Sequence, residues 1–284
     1  MINMIMRRFP AKEVQYKILC CNACSERVYP YIKDEGGDKS LICVSPVHGR
    51  SFVVSHDGSQ RWIVSKGNGL SYSNHSFLDV SEFDNYVWGA LTAECATRDF
   101  HIGIEVNKLG IKTNMMQYVI ELDCQLVDKD KVIKPCLLQY EVECPYRLCD
   151  FPFIPHDEQK RIYSYWENFD TTGKERYLVA ANILVKNLFI LHTNNVMHNA
   201  LHVQNFTWKL ELLDFESSRT DNFPYENHGY EENVLMLMNG EIMKTYEIIN
   251  YIAWCFGEIV DYAKVDGVFY DYGFDLKKYR VLYE

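Results

Sequence analysis

Two polar residues, separated by a short apolar stretch, restrict the fold more than any other feature of this sequence. Asn205 ends a loop that begins at His198, and Asp214 follows nine residues after Asn205, with three leucines between them. An asparagine on a loop and an aspartate at the end of a strand can converge on one hard cation, because such cations take oxygen ligands and bridge phosphates. The spacing therefore predicts a loop and a strand that bring both side chains to one metal ion.

The same segment resembles the active-site segment of the protein-kinase fold. In that fold a loop that opens with His ends in a metal-binding Asn, and a strand delivers a metal-binding Asp followed by an aromatic residue. The matching residues here are His198, Asn205, Asp214 and Phe215. Ala200 stands two residues after the histidine, where a kinase has its catalytic Asp. The resemblance implies a chain that keeps the nucleotide and metal ligands but has lost the usual base.

Composition limits the class of protein. The 284 residues are 48% apolar and 24% charged, as in an ordinary soluble protein with one large domain or two modest ones. The net charge of −10 argues against a general nucleic-acid binder. No apolar run reaches the roughly 18 residues that a membrane span needs, and the N-terminal apolar stretch is too short for a signal peptide. We therefore expect a cytoplasmic protein with no membrane or nucleic-acid partner.

The order of the predicted elements favours an α+β fold with two lobes. Strands are predicted at 51–54, 61–66, 115–122 and 131–141, and helices at 86–108, 158–168, 174–192 and 241–260. We predict a bilobal, protein-kinase-like fold with a β-rich N-lobe at 50–145 and a helical C-lobe at 146–284. Residues 1–49 are predicted to form a small N-terminal extension that contains clustered cysteines.

A lysine at the end of a predicted strand is the candidate phosphate ligand. Lys66 closes the strand, and a lysine in that place can hold the α- and β-phosphates of a nucleotide if an acid on a facing helix orients it. We expect Asp99 to be that acid and to share the catalytic role with Lys66. Glu94 and Glu105 lie on nearby turns of the same helix and are the alternatives.

Three stretches of the chain resemble the selenoprotein O family, whose members have a kinase fold and transfer AMP to protein hydroxyls. Residues 66–73 are similar to Lys-Gly-Ala-Gly-x-Thr-x-Tyr-Ser of that family. Arg98–Phe100 and Leu109–Thr113 are similar to its Arg-Glu-Phe and Leu-Gly-Ile-Pro-Thr, with the same spacing. His198–Asn205 and Asp214-Phe215 match its His-Gly-Val-x-Asn-Thr-Asp-Asn and Asp-Tyr-Gly.

The resemblance implies a set of ligands in the cleft between the lobes. ATP would be bound by Lys66 with Gly67 and Gly69, and Asn205 and Asp214 would ligate Mg²⁺ or Mn²⁺. The substrate would be a protein Ser, Thr or Tyr. Loss of the base is compatible with such chemistry, because phosphoryl and nucleotidyl transfer depend mainly on positioning and charge neutralisation.

The chain also departs from the family's pattern. Asp99 replaces Glu and is one methylene shorter, which puts its contact with Lys66 in doubt. Gln204 replaces an Asp of the loop, and Glu216 replaces the Gly that follows the Asp-aromatic pair. The family's two phosphate-binding arginines have no clear counterparts; Arg147 and Arg161 are the nearest by position.

The cysteines near the N-terminus are a separate candidate site. Cys21 and Cys24 form a C-x-x-C pair. After a spacer of 18 residues, Cys43 and His48 form a second, looser pair. Tetrahedral zinc takes thiolate and imidazole ligands from two such pairs. Structural zinc and unliganded thiols both remain open, and Cys20 is an alternative ligand.

Three functions follow from these motifs. The first is an ATP- and metal-dependent transferase that modifies protein hydroxyls, by AMP transfer or by phosphoryl transfer. The second is a catalytically inactive pseudokinase that serves as a scaffold for a protein partner, which Glu216 and the short Asp99 side chain favour. A small-molecule kinase ranks last, because such enzymes generally need the Asp that Ala200 replaces.

Overall fold

A computed structural model describes residues 7–22, 27–43, 50–56, 61–69, 89–128, 131–166, 175–224 and 234–280. Within these residues a lobe built on an antiparallel sheet and one helix precedes a lobe built from helices. The predicted α+β class and the order of the two lobes are therefore confirmed.

The strands and the helix of the first lobe are β1 Arg7–Glu13, β2 Tyr16–Cys21, β3 Tyr31–Lys33, β4 Lys39–Cys43, β5 Ser51–His56, β6 Trp62–Lys66, α1 Ala93–Lys108, β7 Met115–Leu122, β8 Leu126–Asp128, β9 Lys131–Ile133 and β10 Cys136–Val142. The second lobe contains α2 His156–Trp166, α3 Arg176–Thr193, α4 Val234–Phe256, α5 Tyr262–Asp271 and α6 Leu276–Arg280, with short 3₁₀ helices at Leu148–Phe153 and Val203–Asn205. None of the helices in the described part of the chain is long and apolar enough to cross a membrane.

Eight strands form one sheet in the order β2-β7-β10-β6-β5-β4-β1-β3, with antiparallel neighbours throughout. Strand β10 lies near the centre, and all seven of its residues are buried. Strand β6 pairs with it on one side, Lys66 opposite Leu138, and with β5 on the other, Lys66 opposite Ser51. The register therefore places Lys66 at the end of a central, fully paired strand.

Residues 7–43 are part of this sheet and contribute four of its eight strands. The predicted N-terminal extension is thus continuous with the predicted N-lobe. Residues beside β3 also cover the outer face of the sheet, where the Tyr29 amide donates to Gln139 (3.1 Å) and Gln139 donates to the Arg27 carbonyl (2.9 Å). Gln139 is buried in the middle of β10, so this contact satisfies a polar group that water cannot reach. As a division into domains, the boundaries near 49 and 145 stay predictions.

Helix α1 begins and ends at local signals. The Thr92 hydroxyl accepts a hydrogen bond from the Cys95 amide, and Gly110 has a φ of +83° just beyond the last turn. The predicted end of the helix near residue 108 agrees with the structure. Residues 90–92 are not helical, so α1 begins later than the predicted residue 86; residues 86–88 lie outside the described part.

One buried carboxylate joins the segment between the lobes to the C-lobe. Glu211 accepts hydrogen bonds from the amides of Glu143 (2.8 Å) and Cys144 (3.3 Å), and from the Thr207 hydroxyl (2.7 Å). Glu143 and Cys144 directly follow β10, whereas Glu211 lies on a turn of the C-lobe. The side chain therefore fixes where the second lobe lies relative to the first.

We expect Glu211→Ala to lower the free energy of unfolding by about 2 kcal/mol, because the buried donors of Cys144 and Thr207 lose their partner. Urea unfolding followed by circular dichroism measures the change. Glu143→Ala is the matched control, since Glu143 is exposed and its ion pair with Lys112 lies on the surface; it should change stability by less than about 0.5 kcal/mol. Equal effects of the two substitutions would contradict the bridging role.

Candidate nucleotide site

Lys66 is buried among three carboxylates. Its side chain is 2% exposed, and its Nζ lies 2.7 Å from Asp99 Oδ2, 2.7 Å from Asp214 Oδ1 and 3.5 Å from Glu216 Oε2. Lys66 comes from β6, Asp99 from α1, and the other two from the segment after the Asn205 loop. Three separate parts of the chain therefore meet at one ammonium group.

Asp99 reaches Lys66 although it is shorter than the glutamate of the resembling family. Its second oxygen, Oδ1, accepts from the Phe215 amide at 2.9 Å, so Asp99 also holds the backbone next to Asp214. Of the alternative acids, Glu94 is exposed, and Glu105 accepts a hydrogen bond from Asn222. The structure thus places Asp99, and neither alternative, in contact with the lysine.

The close packing of α1 explains how the shorter acid makes this contact. Gly103 is on the buried side of α1, and a Cβ at this position would lie 2.3 Å from Met116 Cε and 3.2 Å from the Phe215 ring. Because glycine has no side chain, the helix lies closer to β7 than a larger residue would allow. Asp99 lies one turn before Gly103 on the same face of α1, so the close approach also favours the contact of the shorter acid with Lys66.

Arg50 belongs to the same group of charges and was not found by sequence reasoning. It directly precedes β5, and its Nη2 forms a close ion pair with Glu216 Oε1 and lies 3.6 Å from Asp214 Oδ2. Arg50 and Glu216 are 166 positions apart, and no local motif relates them. Glu216 occupies the place of the expected glycine, so the residue that departs from the pattern is the one that binds Arg50.

The five charged groups control one another's ionisation. Burial alone would lower the pKa of Lys66, but Asp214, Asp99 and Glu216 together raise it above its ordinary value. Burial would likewise raise the pKa of Asp214, yet Lys66 and Arg50 hold it far below its usual range. For Asp99 burial outweighs the attraction of Lys66, and its pKa is raised. Of the two aspartates, Asp214 is therefore the more firmly ionised.

The Asn205 loop lies against the extended segment that carries Asp214, which forms only isolated bridges at Leu212 and no regular strand. The Asn205 carbonyl accepts from the Leu213 amide at 2.9 Å, and the Asn205 side chain donates to the Ala200 carbonyl at 2.8 Å. His198 is fully buried beneath the loop, where its Nε2 donates to the Leu213 carbonyl at 2.9 Å. Asp214 has a φ of +67°, a strained conformation for a residue with a side chain. The predicted strand is therefore absent, although the backbone of the loop does contact the segment before Asp214. Joint binding of a metal ion by Asn205 and Asp214 stays a prediction.

Two more contacts hold the segments on either side of Asp214. Glu241 of α4 accepts from the Asn199 amide at 2.7 Å, which fixes the loop to the helical lobe. The guanidinium of Arg98, on α1, donates to the carbonyls of Ser218 and Phe223. The chain after Asp214 is therefore attached to the same helix that carries Asp99.

Oxygen atoms suited to a divalent cation converge here. Asp99, Asp214 and Glu216 each offer one carboxylate oxygen within 4.8 Å of the others. Carboxylate and amide oxygens are the ligands that Mg²⁺ and Mn²⁺ take, so the residue types fit such an ion. The same oxygens bind Lys66 and Arg50, and an entering cation would compete with both.

A narrow slot between the lobes adjoins the charges. Its lining residues come from both lobes and from the segment between them: Ser51, Val53, Val64, Tyr140, Val142, Cys144, Pro145, Arg147, Thr207 and Leu213. Its free volume is about 20 Å³, room for roughly one water molecule. In this conformation the slot has apolar walls but is too small for a nucleoside base.

The predicted nucleotide-binding glycines follow β6. Gly67 has a φ of +99°, and a Cβ there would lie 2.5 Å from the Cys136 carbonyl oxygen. Glycine is therefore required at 67 by the backbone alone, independently of any ligand. A role of Gly67 or Gly69 in nucleotide binding stays a prediction.

The predicted zinc ligands are only partly described. Cys21 ends β2 and is exposed, whereas Cys43 ends β4 and is buried. Four strands lie between β2 and β4 in the sheet order. Cys24 and His48 lie outside the described residues, so the zinc site stays a prediction.

The arrangement defines a class of protein. The N-lobe is an antiparallel sheet with one helix, and its strand lysine is paired with an acid on that helix. Together with an asparagine loop beside Asp214, these features form a protein-kinase-like fold. Ala200 takes the place of the base of a phosphotransferase.

Comparisons with known proteins found only distant structural likenesses. No family model matches the chain, and no curated protein matches it. Among solved structures it is similar to a Toxoplasma gondii specific rhoptry antigen kinase domain, with a TM-score of 0.42, 10% identity, and coverage of 87% of this chain and 82% of the other. It is also similar to the ROP18 kinase domain in complex with AMP-PNP and sucrose, with a TM-score of 0.41, 12% identity, and coverage of 84% and 67%. Because both TM-scores are low, the assignment depends on the architecture of this chain itself.

We expect Lys66→Met to lower the free energy of unfolding at pH 7 by roughly 3 to 5 kcal/mol, because the carboxylates lose their central cation. Carboxylates without that cation have raised pKa values, so they take up protons more readily in the folded chain than in the unfolded one. Their repulsion is then relieved as the pH falls, and the loss should be smaller at pH 5 than at pH 7.

Urea unfolding of the wild type and the variant at both pH values measures this difference. Lys112→Met is the matched control, because Lys112 forms a surface ion pair with Glu143. A loss that is equal at pH 5 and pH 7 would show that the three carboxylates do not repel one another.

Proposed function

We propose that this chain is a kinase-fold transferase that binds ATP with a divalent cation in the cleft between its lobes. The observation that carries the proposal is Lys66, buried and held between Asp99 and Asp214 at 2.7 Å from each. A lysine on a strand, oriented by an acid on a helix and next to a metal-binding aspartate, is the phosphate-binding arrangement of kinases.

Burying these charges brings the fold no net stability, which supports a role for them in function. A buried group of ion pairs is usually no more stable than well-packed apolar side chains of the same volume. Strongly shifted pKa values in a cleft, such as that of Asp214, are found preferentially at functional sites. A fold that needed only stability would have no reason to bury three carboxylates and two cations together.

Each residue has a distinct part in the proposed site. Asp214 and the Asn205 side chain would hold Mg²⁺ or Mn²⁺, which would neutralise charge on the phosphates. Lys66 would hold the phosphates, and Asp99 would orient Lys66 and the Phe215 amide. Because Ala200 offers no base, the rate would depend on positioning and charge neutralisation.

The group transferred is proposed to be AMP. The substrate's hydroxyl oxygen would form a bond to the α-phosphorus, the bond from that phosphorus to the β-phosphate oxygen would break, and pyrophosphate would leave with the electron pair. The hydroxyl proton would pass to solvent. The sequence resemblance to the selenoprotein O family supports AMP transfer. The alternative reaction at the same site is transfer of a phosphoryl group to the same hydroxyl. A protein Ser, Thr or Tyr is the proposed acceptor.

A second candidate function is favoured by the closed state of the cleft. Arg50 and Glu216 are paired beside Lys66, and the slot has only about 20 Å³ of free volume. A pseudokinase that uses the kinase-like surface to bind a protein partner would have no need of an open cleft.

We expect ATP with Mg²⁺ or Mn²⁺ to raise the melting temperature of the wild type, by an amount that corresponds to about 2.7 kcal/mol at 100 times the Kd. Asp214→Asn should abolish the shift, because it removes a charged metal ligand. Glu143→Gln makes the same chemical change at an exposed site and should leave the shift intact. No shift of the wild type at millimolar nucleotide would favour the pseudokinase.

Label transfer separates the two reactions. With ATP labelled at the α-phosphate, we expect the label on protein, either on this chain or on proteins added to it. With ATP labelled at the γ-phosphate, we expect none. Asp214→Asn should abolish the transfer. Labelling from the γ-phosphate alone would replace AMP transfer by phosphoryl transfer.

A further inference from the structure

Arg147 is a buried, charged side chain for which the proposed chemistry has no use. Its backbone belongs to the C-lobe, where its amide donates to Asp150 Oδ2 at 2.8 Å and the residue pairs with Thr207 in an isolated antiparallel bridge. The residue is 7% exposed. An arginine stays protonated at such a site, so a full positive charge lies inside the cleft.

The side chain of Arg147 crosses from one lobe to the other. Its Nη1 donates to the Gln204 carbonyl at 2.9 Å, next to Asn205 in the C-lobe. Its Nη2 lies 3.4 Å from Ser51 Oγ, at the start of β5 in the N-lobe. Arg147 therefore contacts both walls of the cleft and is one of the residues that line the slot.

The slot behind Arg147 has the form of a site for a flat, apolar group. Val53 and Val64 of the sheet face Leu213 of the C-lobe, and Arg147 is part of the lining. With the arginine in this position the free volume is about 20 Å³. The long side chain is the most movable part of the lining, because the other walls are strand residues, a proline and short side chains.

The closed position is held by few contacts. A guanidinium has five N–H donors, and the contacts of Arg147 with described residues use two of its nitrogens, one of them at the long distance of 3.4 Å. Such a contact adds little to the hydrogen bond at Gln204. A rotation that gives up both contacts therefore costs about one hydrogen bond to a charged group, and it returns the charge toward water.

We infer that Arg147 is the gate of the cleft: in the position described it closes the slot, and a different rotamer that releases Ser51 opens it. The ligand admitted is the base of a nucleotide, a part of the inference that rests on the proposed function. The gating itself does not depend on the ligand's identity.

Cys144 provides a direct measure of the gate. Cys144 is fully buried and is one of the residues that line the slot. Cys136, equally buried on β10, is not among the lining residues and serves as the internal control. In Arg147→Ala and Arg147→Met we expect N-ethylmaleimide to label Cys144 about ten times faster than in the wild type, the factor that corresponds to the loss of one hydrogen bond to a charged group. Cys136 should keep its wild-type rate. Mass spectrometry of the digested chain measures both rates.

Two further variants keep the test decisive. Arg161→Ala removes an exposed arginine of the same lobe and should change neither rate. Ser51→Ala leaves the arginine in place but removes its N-lobe contact, and should accelerate Cys144 labelling by a smaller factor. An unchanged rate at Cys144 in both Arg147 variants overturns the gate, and so does a parallel rise at Cys136, since that indicates unfolding.

Measuring nucleotide binding by the same variants tests the gating by Arg147 independently of the proposed nucleotide site. If the gate and the site are both correct, Arg147→Ala binds ATP with Mg²⁺ more tightly than the wild type, because no closed state competes. Faster labelling of Cys144 without binding by any variant supports the gate and contradicts the nucleotide site. Binding that weakens in Arg147→Ala contradicts the gate and makes Arg147 a nucleotide ligand.

Discussion

The ammonium group of Lys66 is the contact on which the rest of the cleft depends. A buried lysine keeps its charge when carboxylates lie beside it, and these come from α1 and from the segment after the Asn205 loop. The one charge therefore fixes the positions of the helix, this segment and β6 relative to one another. Asp99 also accepts a hydrogen bond from the Phe215 amide, so the backbone next to Asp214 is held in place as well.

The charges also explain why the cleft is compatible with both proposed functions. Lys66 and Arg50 occupy the oxygens of Asp214 and Glu216 that a cation would need, and Arg147 adds a third positive charge nearby. Three carboxylates and three cations make the cleft neutral without a ligand. A phosphate would displace carboxylates from the cations, and a metal ion would displace the cations from the carboxylates, so the two enter most easily together.

Local signals in the sequence predicted the parts of the site that lie close together in the chain. The interval from Asn205 to Asp214, the place of Lys66 at a strand end and the end of α1 at Gly110 all depend on a few neighbouring residues. The Arg50–Glu216 pair and the cross-lobe contact of Arg147 depend on the packing of distant segments. Such contacts cannot be predicted from the spacing of residues along the chain. The early strands were missed for a different reason. Strand β1 contains two arginines and a proline and has a single buried residue, so it lacks the alternation that identifies a strand.

The membership of residues 7–43 in the central sheet has a practical consequence. Strand β5 pairs with β4, and β4 with β1, so neither side of β5 is an edge. A shortened chain that began at residue 50 would expose the backbone donors and acceptors of β5, whose first three residues are buried in the full chain. An exposed, apolar edge of this kind pairs readily with strands of other molecules. Such a chain would therefore tend to aggregate, and its insolubility would say nothing about whether the cleft is active.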